Sequence, residues 1–169
     1  NGPEVNRTLF SFNQMNNLLS NLLTDDELLR IAKNSINISE NDKSLVDDLV
    51  PNSYITIVLG GEWEYKTYSN WKSLINIIFS EYKNINIVLV GSNNAVNESH
   101  SVMKKFNNKQ LTNLVSELSF NQTAEVIRRS QILICCDGGL MHAGKAVGVK
   151  IISLLARLDS EILNTPIDN

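Results

Sequence analysis

The chain is short of almost everything that would point to an unusual environment, and each shortage excludes a class of protein. Of 169 residues only two are cysteine, Cys135 and Cys136. They are adjacent in an apolar run, where neighbouring strand residues point to opposite faces, so they are poor disulfide partners and poor joint metal ligands. No His/Cys/Asp cluster has the spacing of a metal site, and no bound metal is expected. Lys and Arg number 15 against 18 Asp and Glu, a net charge of −3. That leaves no broad basic surface, and no nucleic-acid partner is expected. Lys104-Lys105 and Arg128-Arg129 read as solvated helix faces. No apolar stretch approaches the roughly 20 residues that cross a bilayer, and the amino end carries no signal-peptide pattern, so a reducing cytoplasm is expected. Asparagine is abundant, and the Asn-x-Ser/Thr sequons at Asn6, Asn37, Asn97 and Asn121 follow from that composition rather than from glycosylation.

What is present is apolar and patterned. The 43% of hydrophobic residues suffices for one globular core. Residues 1–52 carry Leu18, Leu19, Leu22, Leu23, Leu28, Leu29 and Ile31 at helical spacing in a polar background. Asp25-Asp26-Glu27 suits a helix start there. These residues are expected to form a helical arm that packs on the following domain or on a second molecule, because its leucines would otherwise leave an exposed apolar patch. Pro51-Asn52-Ser53 separates it from a domain spanning residues 53–169.

From Tyr54 the period changes. Strands are expected near 54–59, 85–90, 132–136 and 150–155, with a further short apolar piece at Leu111 to Val115. Helices are expected over 69–82, about 97–106 and 140–147. Another should open at Ser119-Phe-Asn-Gln122, which has capping-box spacing, and run to about Arg129. Strands alternating with helices of this size predict an α/β fold, a parallel sheet with helices on both faces. Three strand ends carry loops of ligand-binding character: Gly60-Gly61, Gly91-Ser-Asn-Asn and Asp137-Gly138-Gly139. In a parallel sheet they share one edge, where ligands of open α/β folds sit. The last loop opens a helix that contains His142. Glycines allow close approach to backbone N–H groups, and a helix start favours an anion. Something phosphorylated and nucleotide-sized is the expected ligand.

The order of these motifs resembles the carboxyl-terminal half of glycosyltransferase family 9, the lipopolysaccharide heptosyltransferases. The resemblance runs from about Tyr54 to Leu155. Asp137-Gly-Gly-Leu-Met-His142 is similar to the family's Asp-(Ser/Thr)-Gly-x-x-His. Lys66-Thr-Tyr after the first glycine loop, the Val88-Leu-Val-Gly91 strand end and the Ser119 helix opening fall in the family's order. The resemblance implies a Rossmann-like domain, one of two in a GT-B architecture, that holds a nucleotide sugar, typically ADP-linked, with no further cofactor. It implies that Gly60, Gly61, Lys66, Asp137, Gly138, Gly139 and His142 meet the diphosphate and sugar. Glu98 would grip the ribose, and the segment around Leu118 would bound the base. The family's base, an aspartate of the amino-terminal domain, has no counterpart in this chain. That other domain would supply the site for a glycan or lipid-linked glycan acceptor, with the full-length protein peripheral to the inner membrane.

The chain also departs from the family pattern. Gly138 replaces a Ser/Thr hydroxyl, Lys150 stands where proline is usual, and Leu154-Leu-Ala156-Arg157 replaces a Phe-Gly-x-Thr type of ending. A rival reading is therefore a non-catalytic nucleotide-binding or protein-interaction module. A flavodoxin- or phosphatase-like domain is disfavoured by the lack of a phosphate-loop or nucleophile signature in the first strand–helix turn. Trp63, Tyr65 and Tyr68 could stack on a ligand or simply cover the sheet edge.

Overall fold

A computed structural model describes residues 14–18, 22–24, 26–27, 35–61 and 67–155. The chain divides into two units, Ile36–Ala156 in one and Asn1–Ser35 with Arg157–Asn169 in the other. In the second unit, residues 14–18 are helical. The buried Asn16 side chain both donates to the Leu23 carbonyl and accepts from the Leu23 N–H, each at 2.9 Å. Thr24 and Glu27 exchange the hydrogen bonds of a capping box at the expected acidic helix start. Leu18 and Leu22 of the leucine series are exposed.

The larger unit begins with α1 (Glu40–Asp47), capped by Ser39, whose side chain accepts from the Asp42 N–H. Then follow β1 (Ile55–Val58), α2 (Trp71–Glu81), β2 (Ile87–Val90), a 3-10 turn (Asn93–Ala95), α3 (Val96–Phe106), β3 (Leu111–Asn113), α4 (Phe120–Arg129), β4 (Leu133–Cys136), α5 (Gly139–Val147) and β5 (Ile151–Leu154). All pairings are parallel and the strand order is β3-β2-β1-β4-β5. The fold is the expected one, an open parallel sheet covered on both faces.

The four-residue strands β1, β2 and β4 are buried along their whole length, as β-branched runs sandwiched between helices should be. Alternation sorts their side chains. Ile55, Ile57, Leu59, Leu89, Ile134 and Cys136 pack with Trp71, Ile75 and Ile78 of α2 and Val102 of α3. Tyr54, Val58, Val88, Leu133 and Cys135 pack with Val46 of α1, Val126 and Ile127 of α4 and Met141 of α5. The two cysteines thus lie on opposite faces. Burial pushes the Cys135 thiol up to about 12, with smaller contributions from Cys136 and Asp137.

α1 lies within the segment expected to be a helical arm, and it packs against α4 in the same unit as the sheet. One detail differs from expectation: Arg129 is not on a solvated face. The Glu125 side chain is fully buried and accepts from Arg128 Nε (2.7 Å), Arg128 Nη2 and Arg129 Nε (both 2.6 Å). Arg129 also pairs with Asp47 at 2.6 Å and donates to the Lys43 carbonyl at 3.0 Å, which fastens α1 to α4. The cause is local: helical spacing aims both guanidinium groups back at residue 125, and α1 closes over the result. Burial raises the Glu125 carboxyl, but the hydrogen bonds from Arg128 and Arg129 outweigh it and leave the group below the usual carboxylate range.

Helix α5 sits close to the sheet because residue 144 has no side chain. A Cβ there would lie 2.5 Å from Leu133 Cδ2 and 3.1 Å from Ile151 Cδ1. Gly144→Ala is expected to lower stability by about 1–3 kcal/mol, the usual penalty for overpacking. Chemical denaturation checks this, and an unchanged midpoint would mean that α5 can move outward at no cost.

Candidate functional site

In strand order β3-β2-β1-β4-β5 the chain reverses direction between β1 and β4. The loops leaving those two strands therefore diverge, and a crevice opens at the carboxyl-terminal edge. A cleft of about 320 Å3 occupies that place, lined by Gly60, Gly61, Gly91, Ser92, Asn94 and the stretch Cys136 to Met141. One wall belongs to the loops after β1 and β2, the other to the end of β4 and the first turn of α5.

The first wall depends on glycine at two points. Gly60 has φ +78, and a Cβ on it would meet Ala95 Cβ at 3.0 Å. Gly91 has φ +159, and a Cβ there would meet the Leu59 carbonyl oxygen at 2.7 Å, a backbone atom that cannot yield. The two loops are joined by a side chain as well. Asn94 Nδ2 donates to the Gly61 carbonyl at 2.7 Å, while Ser92 Oγ donates to Asn94 Oδ1 at 2.8 Å.

The second wall is a helix start. Gly138 occupies the cap position of α5, with extended backbone and no side-chain cap bond, so Asp137 does not take the cap position. The Met141 N–H returns to the Gly138 carbonyl at 3.1 Å. A Cβ on Gly138 or Gly139 would meet nothing within 4 Å, so both glycines open onto space. The Gly139 and Leu140 amides precede that first returning bond and lack a carbonyl one turn back, and with the helix dipole they favour an anion in front of them. Cys136 closes the floor. Burial raises its thiol, a backbone hydrogen bond from Tyr68 partly offsets that, and Asp137 adds to the rise. Tyr68 stands edge-on to Trp71 at 5.0 Å and packs against the core beneath it.

Of the residues singled out from the sequence, Gly60, Gly61, Asp137, Gly138 and Gly139 meet in this cleft. His142 is exposed on the first turn of α5 and is not among the lining residues. Glu98, half-buried in the first turn of α3, and Leu118, packed against the sheet face that carries α4, also lie outside the lining. Lys66, Trp63 and Tyr65 fall outside the described residues. Asn94 and Ser92 were part of a recognised loop but were not singled out. Their signal is a Ser-x-Asn pair directly after a strand-ending glycine.

A second depression of about 360 Å3 lies at the opposite edge of the sheet, around Ser53, Tyr82, Lys83 and Gln131, with no glycine loop or helix start facing it. Among the described residues no group of His, Cys, Asp or Glu side chains could hold a metal ion, and no helix is long and apolar enough to cross a membrane.

Fold and cleft together define an α/β domain of the doubly wound, Rossmann-like class. The model of glycosyltransferase family 9 (heptosyltransferase) matches residues 3–167, and the chain belongs to that family. No curated protein sequence matches it. Among solved structures it is similar to E. coli ADP-heptose lipopolysaccharide heptosyltransferase II, at 22% identity and TM-score 0.61 over 70% of this chain and 38% of that one. A family 9 glycosyl transferase from Veillonella parvula gives 19% identity and TM-score 0.65, over 82% of this chain and 41% of that one. E. coli heptosyltransferase WaaC, solved with ADP-2-deoxy-2-fluoro heptose, gives 18% and 0.57, over 69% and 38%. The chain thus spans about two fifths of the length of these relatives.

Proposed function

We propose that this chain is the donor-binding half of a heptosyltransferase-type glycosyltransferase. It would hold an ADP-heptose-like nucleotide sugar for transfer to a lipopolysaccharide or related glycan acceptor. The observation that carries the reading is the cleft at the β1/β4 crevice, where two glycine loops face an open helix start. WaaC, similar in fold, was solved with an ADP-linked sugar analogue, which suggests the same class of donor here.

The chemistry asks for a cradle for a leaving group. An acceptor hydroxyl oxygen bonds to the anomeric carbon, the bond from that carbon to the diphosphate oxygen breaks, and the nucleoside diphosphate leaves with the electron pair. Amides and cations placed beforehand around the diphosphate stabilise this charge without a metal. The α5 first turn is the group that lines the cleft for that task; Lys66 and His142, the latter exposed on the same turn outside the lining, are added on the family resemblance. Inversion at the anomeric carbon needs a base to take the hydroxyl proton from the opposite side. No residue of this chain is assigned that role; it falls to a facing domain that also holds the acceptor.

Lys66 rests on connectivity. It lies in sequence between Gly61, which lines the cleft, and Tyr68, whose N–H reaches Cys136 on the cleft floor. Lys66→Ala is expected to weaken ADP binding by about 1–3 kcal/mol, the worth of a hydrogen bond to a charged group. Titration calorimetry decides it, and unchanged affinity removes Lys66 from the site.

The second reading, a non-catalytic nucleotide-binding or interaction module, is favoured by Gly138, which brings no hydroxyl to the α5 cap. A thermal-shift panel of nucleotides and nucleotide sugars separates the readings, since a ligand of the native state raises stability by mass action. Selectivity for ADP-sugars supports the donor site. An equal response to any nucleotide supports the degenerate module, and no response to any of them overturns the nucleotide reading.

A further inference from the structure

We propose that Asn94 is a positioning residue of the cleft, a clamp that fixes the β1 glycine loop against the β2 loop and so sets the cleft wall made by Gly60 and Gly61. The inference rests on the nucleotide reading above for its consequence, but its geometry stands by itself. Ser92 Oγ donates to Asn94 Oδ1 at 2.8 Å, and Asn94 Nδ2 donates to the Gly61 carbonyl at 2.7 Å. The amide orientation is forced, because a carbonyl oxygen can only accept and must therefore face the NH2 group. The neighbours leave little slack. A Cβ on Gly60 would lie 3.1 Å from Asn94 Oδ1 and 3.0 Å from Ala95 Cβ, and one on Gly91 would lie 3.0 Å from the same Ala95 Cβ. The β1 loop thus rests on the 3-10 turn that Asn94 belongs to, and one carboxamide supplies the side-chain tie between them.

The role requires a residue of this length that accepts at one end and donates at the other. Aspartate keeps the size and the acceptor for Ser92 but offers the Gly61 carbonyl a negative oxygen in place of a donor. Glutamine has the chemistry with one methylene too many. The ligand-binding edge therefore depends on a side chain that acts through Gly61 and need not touch the ligand itself. Ligand binding would feel the clamp through the placement of Gly60 and Gly61 in the cleft wall.

The test uses the whole chain with the variants Asn94→Ala and Asn94→Asp and two readouts. Amide hydrogen exchange without ligand should rise at least about tenfold at Gly60 and Gly61 for both variants, with the sheet strands unchanged, as expected for local release of a loop. ADP affinity should fall about tenfold in both, the scale of one lost hydrogen bond that orders a charged site. Asn94→Asp should be no better than Asn94→Ala. Wild-type exchange in both variants, or an aspartate variant that behaves like wild type, overturns the clamp and leaves Asn94 as space-filling. If exchange rises as stated while wild-type protein binds no ADP, the clamp stands and the nucleotide reading is what fails.

Discussion

Replacing Arg128 and Arg129 together by alanine is expected to lower stability by about 3–5 kcal/mol at pH 7, the cost of stranding a buried charge. Glu125 is fully buried and holds three guanidinium hydrogen bonds, so the variant must either keep a carboxylate in the core without a counter-charge or protonate it. The sign follows from linkage. In the wild type the Glu125 carboxyl is lowered when folded, so its stabilising contribution is full above the unfolded carboxyl value of about 4.3 and fades as pH falls through the folded value. In the double variant burial acts alone and raises the carboxyl, so the deficit is greatest at neutral pH and shrinks on acidification. Urea denaturation at pH 7 and near pH 4.5 reads both arms. The triple variant with Glu125→Gln as well should recover part of the loss at pH 7. A double variant within about 1 kcal/mol of wild type at pH 7 would show that water reaches Glu125 readily and that the pairing contributes little.

The second large effect is expected at Gly139. Gly139→Val should weaken nucleoside diphosphate binding by roughly a hundredfold or more, because the side chain would block first-turn amides whose hydrogen bonds to a charged group are worth about 1.5–3 kcal/mol each. The fold should barely respond. A Cβ at residue 139 meets nothing within 4 Å, and valine in a first helical turn costs under about 1 kcal/mol. Gly144→Ala, in the same helix, is the counterpart that disturbs packing without entering the cleft. Affinity within twofold of wild type for Gly139→Val would place the diphosphate somewhere other than the α5 start.

The sheet was legible wherever burial on both faces demanded a continuous apolar run. Ile55–Val58, Ile87–Val90 and Leu133–Cys136 lie in apolar runs that stop at Gly60, Gly91 and Asp137-Gly138, and each forms a strand inside its expected limits. β3 was not read as a strand, since Leu111-Thr-Asn113 has one apolar residue; its extended form comes from the ladder with β2, Ile87 against Leu111. The way α1 is attached was hidden for a related reason. Only Val46 of that helix is buried, and its attachment is made by Arg129, whose partners lie far away in sequence. At the cleft, glycines and helix start were visible because they are local signals. The Asn94–Gly61 bond was not, because it joins loops from two strands whose adjacency exists only after the sheet has formed.

The strand order also sets when the cleft can come into being. β1, β2 and β3 can assemble through successive short-range steps, each strand beside the last. β4 must then travel back across the finished half to pair with β1, Thr56 against Leu133. One cleft wall comes from each side of that return, so a chain still emerging from a ribosome can offer no complete site until about residue 141 is available for folding. Non-local pairing of this kind is the slow part of assembly. A refolding population would therefore gain nucleotide affinity with its last tertiary phase, and captured ligand would count finished molecules rather than collapsed ones.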